Sequence, residues 1–169
     1  MLKKLLTMPC LLLLTFSATT CIYGPVAVDV ITAKDGRHKA KQFLDAIKDN
    51  ISCEKYGEHI FNHLSIVVAA IRYAENGGPG REYGILHPKC PKSYRGQAGW
   101  CAATVSKNFK RYLDSNPPLP ISIKDYIKFL GSRYAPVGAD NDPSNLNQNW
   151  VRNVTFYYNK FSADVASLR

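Results

Sequence analysis

EHIFNHLSIVVAAIRYAENGGPG, residues 58–80, is the stretch on which the reading of the fold turns. Ile60, Phe61, Leu64, Val67, Val68 and Ile71 recur at helical spacing, and Ile66, Ala69 and Ala70 fill in much of the remaining circumference. A helix that is apolar around most of its surface belongs in the middle of a domain, with other elements packed around it. The run is too long and too rich in alanine for a single core strand. It must stop at Glu75-Asn76-Gly77-Gly78-Pro79-Gly80, because Asn and Gly accept the left-handed conformation that ends helices and Pro cannot continue one. A buried helix over 58–74 is therefore expected, with Glu75 at its C-terminal end.

Working outward, residues 39–50 (KAKQFLDAIKDN) predict an amphipathic helix with Phe43, Leu44 and Ile47 on one face, while 22–40 is weakly patterned. On the other side, 81–87 (REYGILH) has short strand character around Gly84 and predicts a small hairpin. Residues 94–113 form the next helix candidate, with Trp100, Val105, Phe109 and Tyr112 on its inner face. A proline-rich loop follows, then a helix over 122–130 with Ser122 as its cap and Asp125 near the positive end of the dipole. A polar segment, 131–149, leads to a last helix over 148–161. Trp100 and Trp150 sit among apolar neighbours and are read as core residues. The fold class is mainly α with a small β-hairpin.

The chain of 169 residues has an ordinary globular composition, 46% hydrophobic and 21% charged, enough for one core. Residues 1–20 have the layout of a secretory signal: a basic start at Lys3-Lys4, an apolar run to Phe16, and a small-residue stretch to Thr20. The apolar run is too short to span a membrane. Ala18-Thr19-Thr20 before Cys21 makes a poor lipobox, so an exported periplasmic or secreted protein is preferred to a lipoprotein. Residues 21–169 then form one domain, expected to act as a monomer without a stable membrane span. Its formal charge is +9, two of those charges belonging to Lys3 and Lys4. A basic surface favours polyanionic partners, and for an exported protein these are cell-wall polymers more readily than nucleic acid. No basic cluster with interleaved aromatics marks a nucleic-acid patch. Beyond Cys10 in the signal, four cysteines remain, Cys21, Cys53, Cys90 and Cys101. In an oxidising compartment these predict a bridge between Cys90 and Cys101, and a second between Cys21 and Cys53 if Cys21 survives cleavage.

The chemistry centres on residues 69–87. A carboxylate at the end of a buried helix meets two effects of the same sign: partial burial disfavours its ionised form, and so does the negative end of the helix dipole. Both raise its pKa, as a general acid near neutral pH requires. Glu75 is in that position. Such an acid can protonate the leaving oxygen of a glycosidic bond.

This arrangement resembles the lysozyme superfamily, particularly its lytic transglycosylase, goose-type lysozyme and glucosaminidase branches. There the catalytic Glu ends a core helix and a Gly-containing β-hairpin follows. Glu75 matches that Glu, and Tyr83-Gly84-Ile85-Leu86 looks like the hairpin segment, usually Gly-Leu-Met-Gln. Ser132-Arg133-Tyr134-Ala135-Pro136 and the polar run to Asn149-Trp150-Val151 look like the second cleft wall. Asn76 stands where a Ser follows the Glu in the family, and His87 where a Gln falls. The resemblance implies a lysozyme-like domain, here expected to be stabilised by the disulfides above, that cuts the MurNAc–GlcNAc β-1,4 bond of peptidoglycan with no cofactor. It implies sugar contacts from Tyr83, Tyr134 and nearby amides, for which Gln97, Asn141 and Asn147 are candidates. A second acid, if used, would come from Glu82, Asp140 or Asp142.

Other chemistries have less support. His59 and His63 share a helical face but lack a third ligand in sequence and an HExxH pattern, so they are read as a surface or packed pair with no metal. No GxSxG or recognisable Cys–His context exists. Two further readings stand beside the enzyme: a non-catalytic glycan-binding envelope protein on the same scaffold, and a secreted effector that binds another protein.

Overall fold

A computed structural model describes residues 25–140, 142 and 144–167. The expected signal segment, Cys21 and Asn141 lie outside the described residues. Six α-helices follow one another: α1 (Pro25–Asp35), α2 (Arg37–Asn50), α3 (Cys53–Glu75), α4 (Tyr94–Asp114), α5 (Ile123–Tyr134) and α6 (Trp150–Ser167), the last preceded by a 3₁₀ turn at Leu146–Asn149. No helix among the described residues is long and apolar enough to cross a membrane.

The expected central helix is α3. Leu64, Val67, Val68, Ala69, Ala70 and Ile71 are all fully buried. Burying each large side chain contributes roughly 1.5–3 kcal/mol, so this one segment anchors the core. α6, α4 and α1 pack against it, and α2 packs on α4 and α1. Gly57, at φ 76, breaks α3 near its start, and the uninterrupted part begins at Glu58. Serine hydroxyls open three helices: Ser52 accepts from the Lys55 N–H at 3.1 Å, Ser93 from Gly96 at 3.1 Å and Ser122 from Asp125 at 3.2 Å.

Three expectations need correction. Residues 25–35 are helical, burying Ala27 and Ile31. The sequence there (PVAVDVITAKD) is rich in β-branched residues and shows no amphipathic stripe, so tertiary packing decides its form.

The hairpin is absent, and no strand occurs among the described residues. Between α3 and α4 the chain closes successive tight turns. Arg81 N–H donates to the Gly78 carbonyl at 3.0 Å, Gly84 to Arg81 at 2.9 Å and Cys90 to His87 at 2.9 Å. Donors used in local turns cannot build a ladder, and Pro79, Pro88 and Pro91 have none to offer.

Cys90 and Cys101 are free thiols, not a bridge. Cys101 is fully buried on α4 and hydrogen-bonds with Tyr134, while the Cys90 sulfur accepts from Gln97 Nε2 at 3.1 Å. Of the second expected bridge, only Cys53 is described; it is buried and is not one of the free thiols.

A buried polar network ties the helices beneath the α3–α4 connection. The Arg72 guanidinium grips Asp35 with two bonds of 2.8 Å, and both side chains are 7% exposed. Its remaining arm donates to the Glu82 carbonyl at 3.3 Å, and the Tyr94 hydroxyl donates to Asp35 at 2.9 Å. α1, α3, α4 and the connection thus meet at one charge pair.

Candidate active site

α3 ends where the sequence requires. Asn76 takes the left-handed conformation at φ 45 and returns its N–H to the Arg72 carbonyl at 3.3 Å. The chain then doubles back so closely that a side chain at Gly77 would strike the Arg81 carbonyl. This return lays Gly84, at φ 68, directly against the Glu75 carboxyl, and a Cβ at 84 would collide with it. Glycine at that position therefore brings the backbone over the acid.

The carboxyl is partly buried, and its Oε1 accepts the indole N–H of Trp150 at 2.7 Å. Burial pushes the Glu75 pKa up, and the Trp150 bond offsets part of that rise; the net position is above the ordinary glutamate value. Trp150 is itself held in place. Its ring stacks on Tyr134 with centroids 5.1 Å apart, and the Tyr134 hydroxyl donates to the Tyr83 carbonyl at 2.6 Å. Gly131 permits this packing, because a Cβ there would come within 2.5 Å of Val151 and 3.2 Å of the Trp150 ring.

Gly84 also helps to wall a hollow of about 480 Å³, with Ile85, Leu86, His87, Trp100, Thr104, Arg133 and Tyr134; the Glu75 side chain lies behind Gly84 and does not itself line it. A second hollow of about 570 Å³, between α2 and α4, shares Trp100 and Thr104 with it. Trp100 is half-buried and faces the His87 ring at 5.1 Å, so it divides two open spaces and is not a core residue.

Of the expected sugar ligands, Tyr134 lines the hollow. The Tyr83 ring is fully buried with its hydroxyl 3.3 Å from that of Tyr94, so it has no surface to offer a sugar; its contribution is the carbonyl that seats Tyr134. Gln97 is also buried. Its Nε2 donates to the Ile85 carbonyl at 3.3 Å and to Cys90, holding the 85–90 segment, while its Oε1 lacks a hydrogen-bond partner. Asn147 closes the loop before α6: Nδ2 donates to the Pro136 carbonyl at 3.0 Å, and its N–H donates to Asp142 at 2.8 Å.

The candidate second acids fare similarly. Glu82 is 3% exposed, and its Oε2 accepts the Gly80 N–H at 2.9 Å, which gives it a role in the turn and not that of a solvated charge. Asp142 accepts the N–H groups of Leu146 and Asn147, and Asp140 is exposed on the same loop. Among the described residues, the wall of the hollow at Gly84 contains no carboxylate.

No family model, curated protein or solved structure matches this chain. One of its members escaped the sequence. Trp150 reads as a core aromatic, and it is 6% exposed, yet its one polar atom is aimed at the acid. The Arg72–Asp35 pair did leave a signal: a guanidinium inside an apolar helix needs a partner.

Proposed function

We propose that this protein is an exported, lysozyme-like enzyme that cleaves the glycan strands of peptidoglycan at the MurNAc–GlcNAc β-1,4 bond, with Glu75 as its general acid and base. The observation that carries the reading is the placement of Glu75. It ends the central helix, burial raises its pKa, Trp150 fixes one oxygen, and it lies directly behind Gly84, one of the residues that wall the open hollow. A protonated carboxyl so placed can donate to the glycosidic oxygen as the bond to the anomeric carbon breaks.

A hollow with no carboxylate in its wall, and Glu75 alone behind it, suits the transglycosylase route. There the 6-hydroxyl of the muramyl sugar attacks its own anomeric carbon, and the Glu75 carboxylate takes the hydroxyl proton, restoring the acid. The protein supplies no nucleophile in this route. Tyr134 and Trp100 offer aromatic faces for sugar rings, and the basic charge of the chain favours an anionic polymer.

Mass spectrometry of peptidoglycan digested by the purified protein and by Glu75→Gln tests the proposal. Anhydro-muropeptides from the wild type and none from the variant are expected. The same products from both would remove Glu75 from the chemistry, and sugar binding without any product would favour the non-catalytic reading.

A further inference from the structure

A third hollow, of about 550 Å³, opens where the end of α3 meets the first turns of α6. Tyr73 and Asn76 wall it from one side, and Arg152, Asn153, Phe156 and Tyr157 from the other. It shares no wall residue with the hollow at Gly84, and the cleavage proposed above makes no use of it. Its size falls within the range of roughly 300–1,000 Å³ usual for small-molecule sites, which pair an aromatic lining with a few polar groups.

Three rings make its apolar part. Tyr157 is the middle one, with its centroid 5.3 Å from that of Tyr73 and 5.2 Å from that of Phe156. Phe156 is 61% exposed, so packing leaves an aromatic face open to solvent at this wall. The polar part is amide and cationic. Lys34 Nζ donates to Asn76 Oδ1 at 2.9 Å and lies 4.4 Å from the Tyr73 centroid. With that oxygen held, the Asn76 amide offers its two N–H bonds, and the exposed Asn153 amide offers a donor and an acceptor. Arg152 adds an exposed guanidinium, whose fork matches the two oxygens of a carboxylate. Among the described residues, the wall contains no carboxylate and no ion pair engages Arg152.

We propose that this hollow is a second, non-catalytic binding site, and that it takes an acidic saccharide: a pyranose ring bearing a carboxylate. The rings cover the C–H face of the sugar, the amides of Asn76 and Asn153 meet its hydroxyl or N-acetyl groups, and Arg152 takes the carboxylate. Charge complementarity decides the sign of the ligand, because one cation lies in the wall, a second holds two wall residues, and no anion opposes them. A peptide carboxylate would use Arg152 alone, whereas a sugar ring also covers the aromatic part. The choice of muramic acid, whose lactyl group supplies the carboxylate, rests on the cell-wall reading above; the site itself does not. A strand held here would keep the protein on its polymer between cleavages.

Titration of the protein with the disaccharide GlcNAc–MurNAc, followed by NMR, tests this. The disaccharide lacks the MurNAc–GlcNAc bond and so is not consumed. Saturable shifts at Asn76 and at Arg152, Asn153 and Phe156 are expected. Arg152→Gln and Phe156→Ser alter exposed side chains, so the fold is spared. The first should weaken binding at least about tenfold, and the second severalfold. Chitobiose, which is neutral, should bind about tenfold more weakly than GlcNAc–MurNAc. Arg133→Gln, in the hollow at Gly84, should leave binding unchanged. The proposal is overturned if chitobiose binds equally well, if a glutamate-rich peptide binds in the same place with equal affinity, or if Arg133→Gln abolishes binding and Arg152→Gln does not. Binding in this hollow by a protein that releases no muropeptides would keep the site and remove the enzyme; muropeptide release without binding here would do the reverse.

Discussion

Trp150 donates its indole N–H to Glu75 across 2.7 Å, joining the first residue of α6 to the last residue of α3. The bond favours the ionised carboxylate while burial opposes it, and burial is the larger effect. Trp150→Phe keeps a ring to stack on Tyr134 but removes the donor. The Glu75 pKa should then rise further, moving the alkaline limb of the kcat/KM profile to higher pH. Loss of a hydrogen bond to a charged group should also lower stability, by about 1.5–3 kcal/mol. An unchanged pH profile would show that the indole bond does not tune the acid.

Glu75→Gln separates chemistry from folding. General acid–base catalysis contributes about 10²–10⁴-fold, and glycan cleavage should fall by at least that lower figure. Stability should move the other way. A folded-state pKa above the unfolded one means that the protonated form stabilises the fold at low pH, and that this contribution is lost as pH rises through the folded pKa. Above the folded-state pKa the ionised Glu75 therefore costs stability, and there the glutamine variant should melt at an equal or higher temperature than the wild type. The gap should close below the ordinary glutamate pKa. Thermal melts across that pH range check the sign.

Gly84→Ala tests the close approach of the backbone to the acid. Its left-handed φ of 68 alone costs a residue with a side chain roughly 1–2 kcal/mol, and the new methyl would also strike the carboxyl. Activity should fall much further than the melting temperature indicates, because the displaced atoms belong to Glu75. Gly138→Ala is the comparison: its φ is 77, nothing lies near its Cβ, and only the backbone cost should appear. Equal effects of the two variants on glycan cleavage would argue against contact at Gly84.

The helix that presents Glu75 was legible because its signals are local: apolar residues around most of its circumference, then Asn76 and glycines to stop it. Ser122 as a cap was legible for the same reason. The α3–α4 connection was not. REYGILH alternates like a strand, but the fate of Tyr83 and Glu82 is set by Tyr94 and Gly80 and by the depth at which Arg72 meets Asp35. The indole of Trp150 reads as packing from the sequence, since nothing in its neighbours says that an acid 75 positions earlier lies within reach.

The Arg72–Asp35 pair holds the floor of the connection, and breaking it should be costly. Arg72→Met leaves Asp35 buried without its cation, for which about 3–5 kcal/mol is expected. Replacing both, as Arg72→Met with Asp35→Leu, removes the unpaired charge and should recover much of that loss, although Tyr94 then loses its acceptor. Denaturant melts of the two single variants and the double variant measure the coupling. Strict additivity would mean that the two side chains do not depend on each other.

Cys90 and Cys101 give a direct check on the core beside the acid. An oxidising compartment would make a bridge between them the simplest expectation, yet both are free thiols, engaged by Gln97 and by Tyr134. Burial pushes the pKa of both thiols up, far more for Cys101, so neither should react readily in the folded state. Alkylation without reductant should therefore leave Cys101 unmodified in the native protein and label both residues once the chain is unfolded. Cys101→Ser should be tolerated worse than Cys90→Ser, since it places a hydroxyl at a fully buried position with Tyr134 as its partner. If neither thiol labels in the unfolded, unreduced chain, a bridge exists after all, and α4 must then be held to the connection covalently instead of by the Gln97 amide.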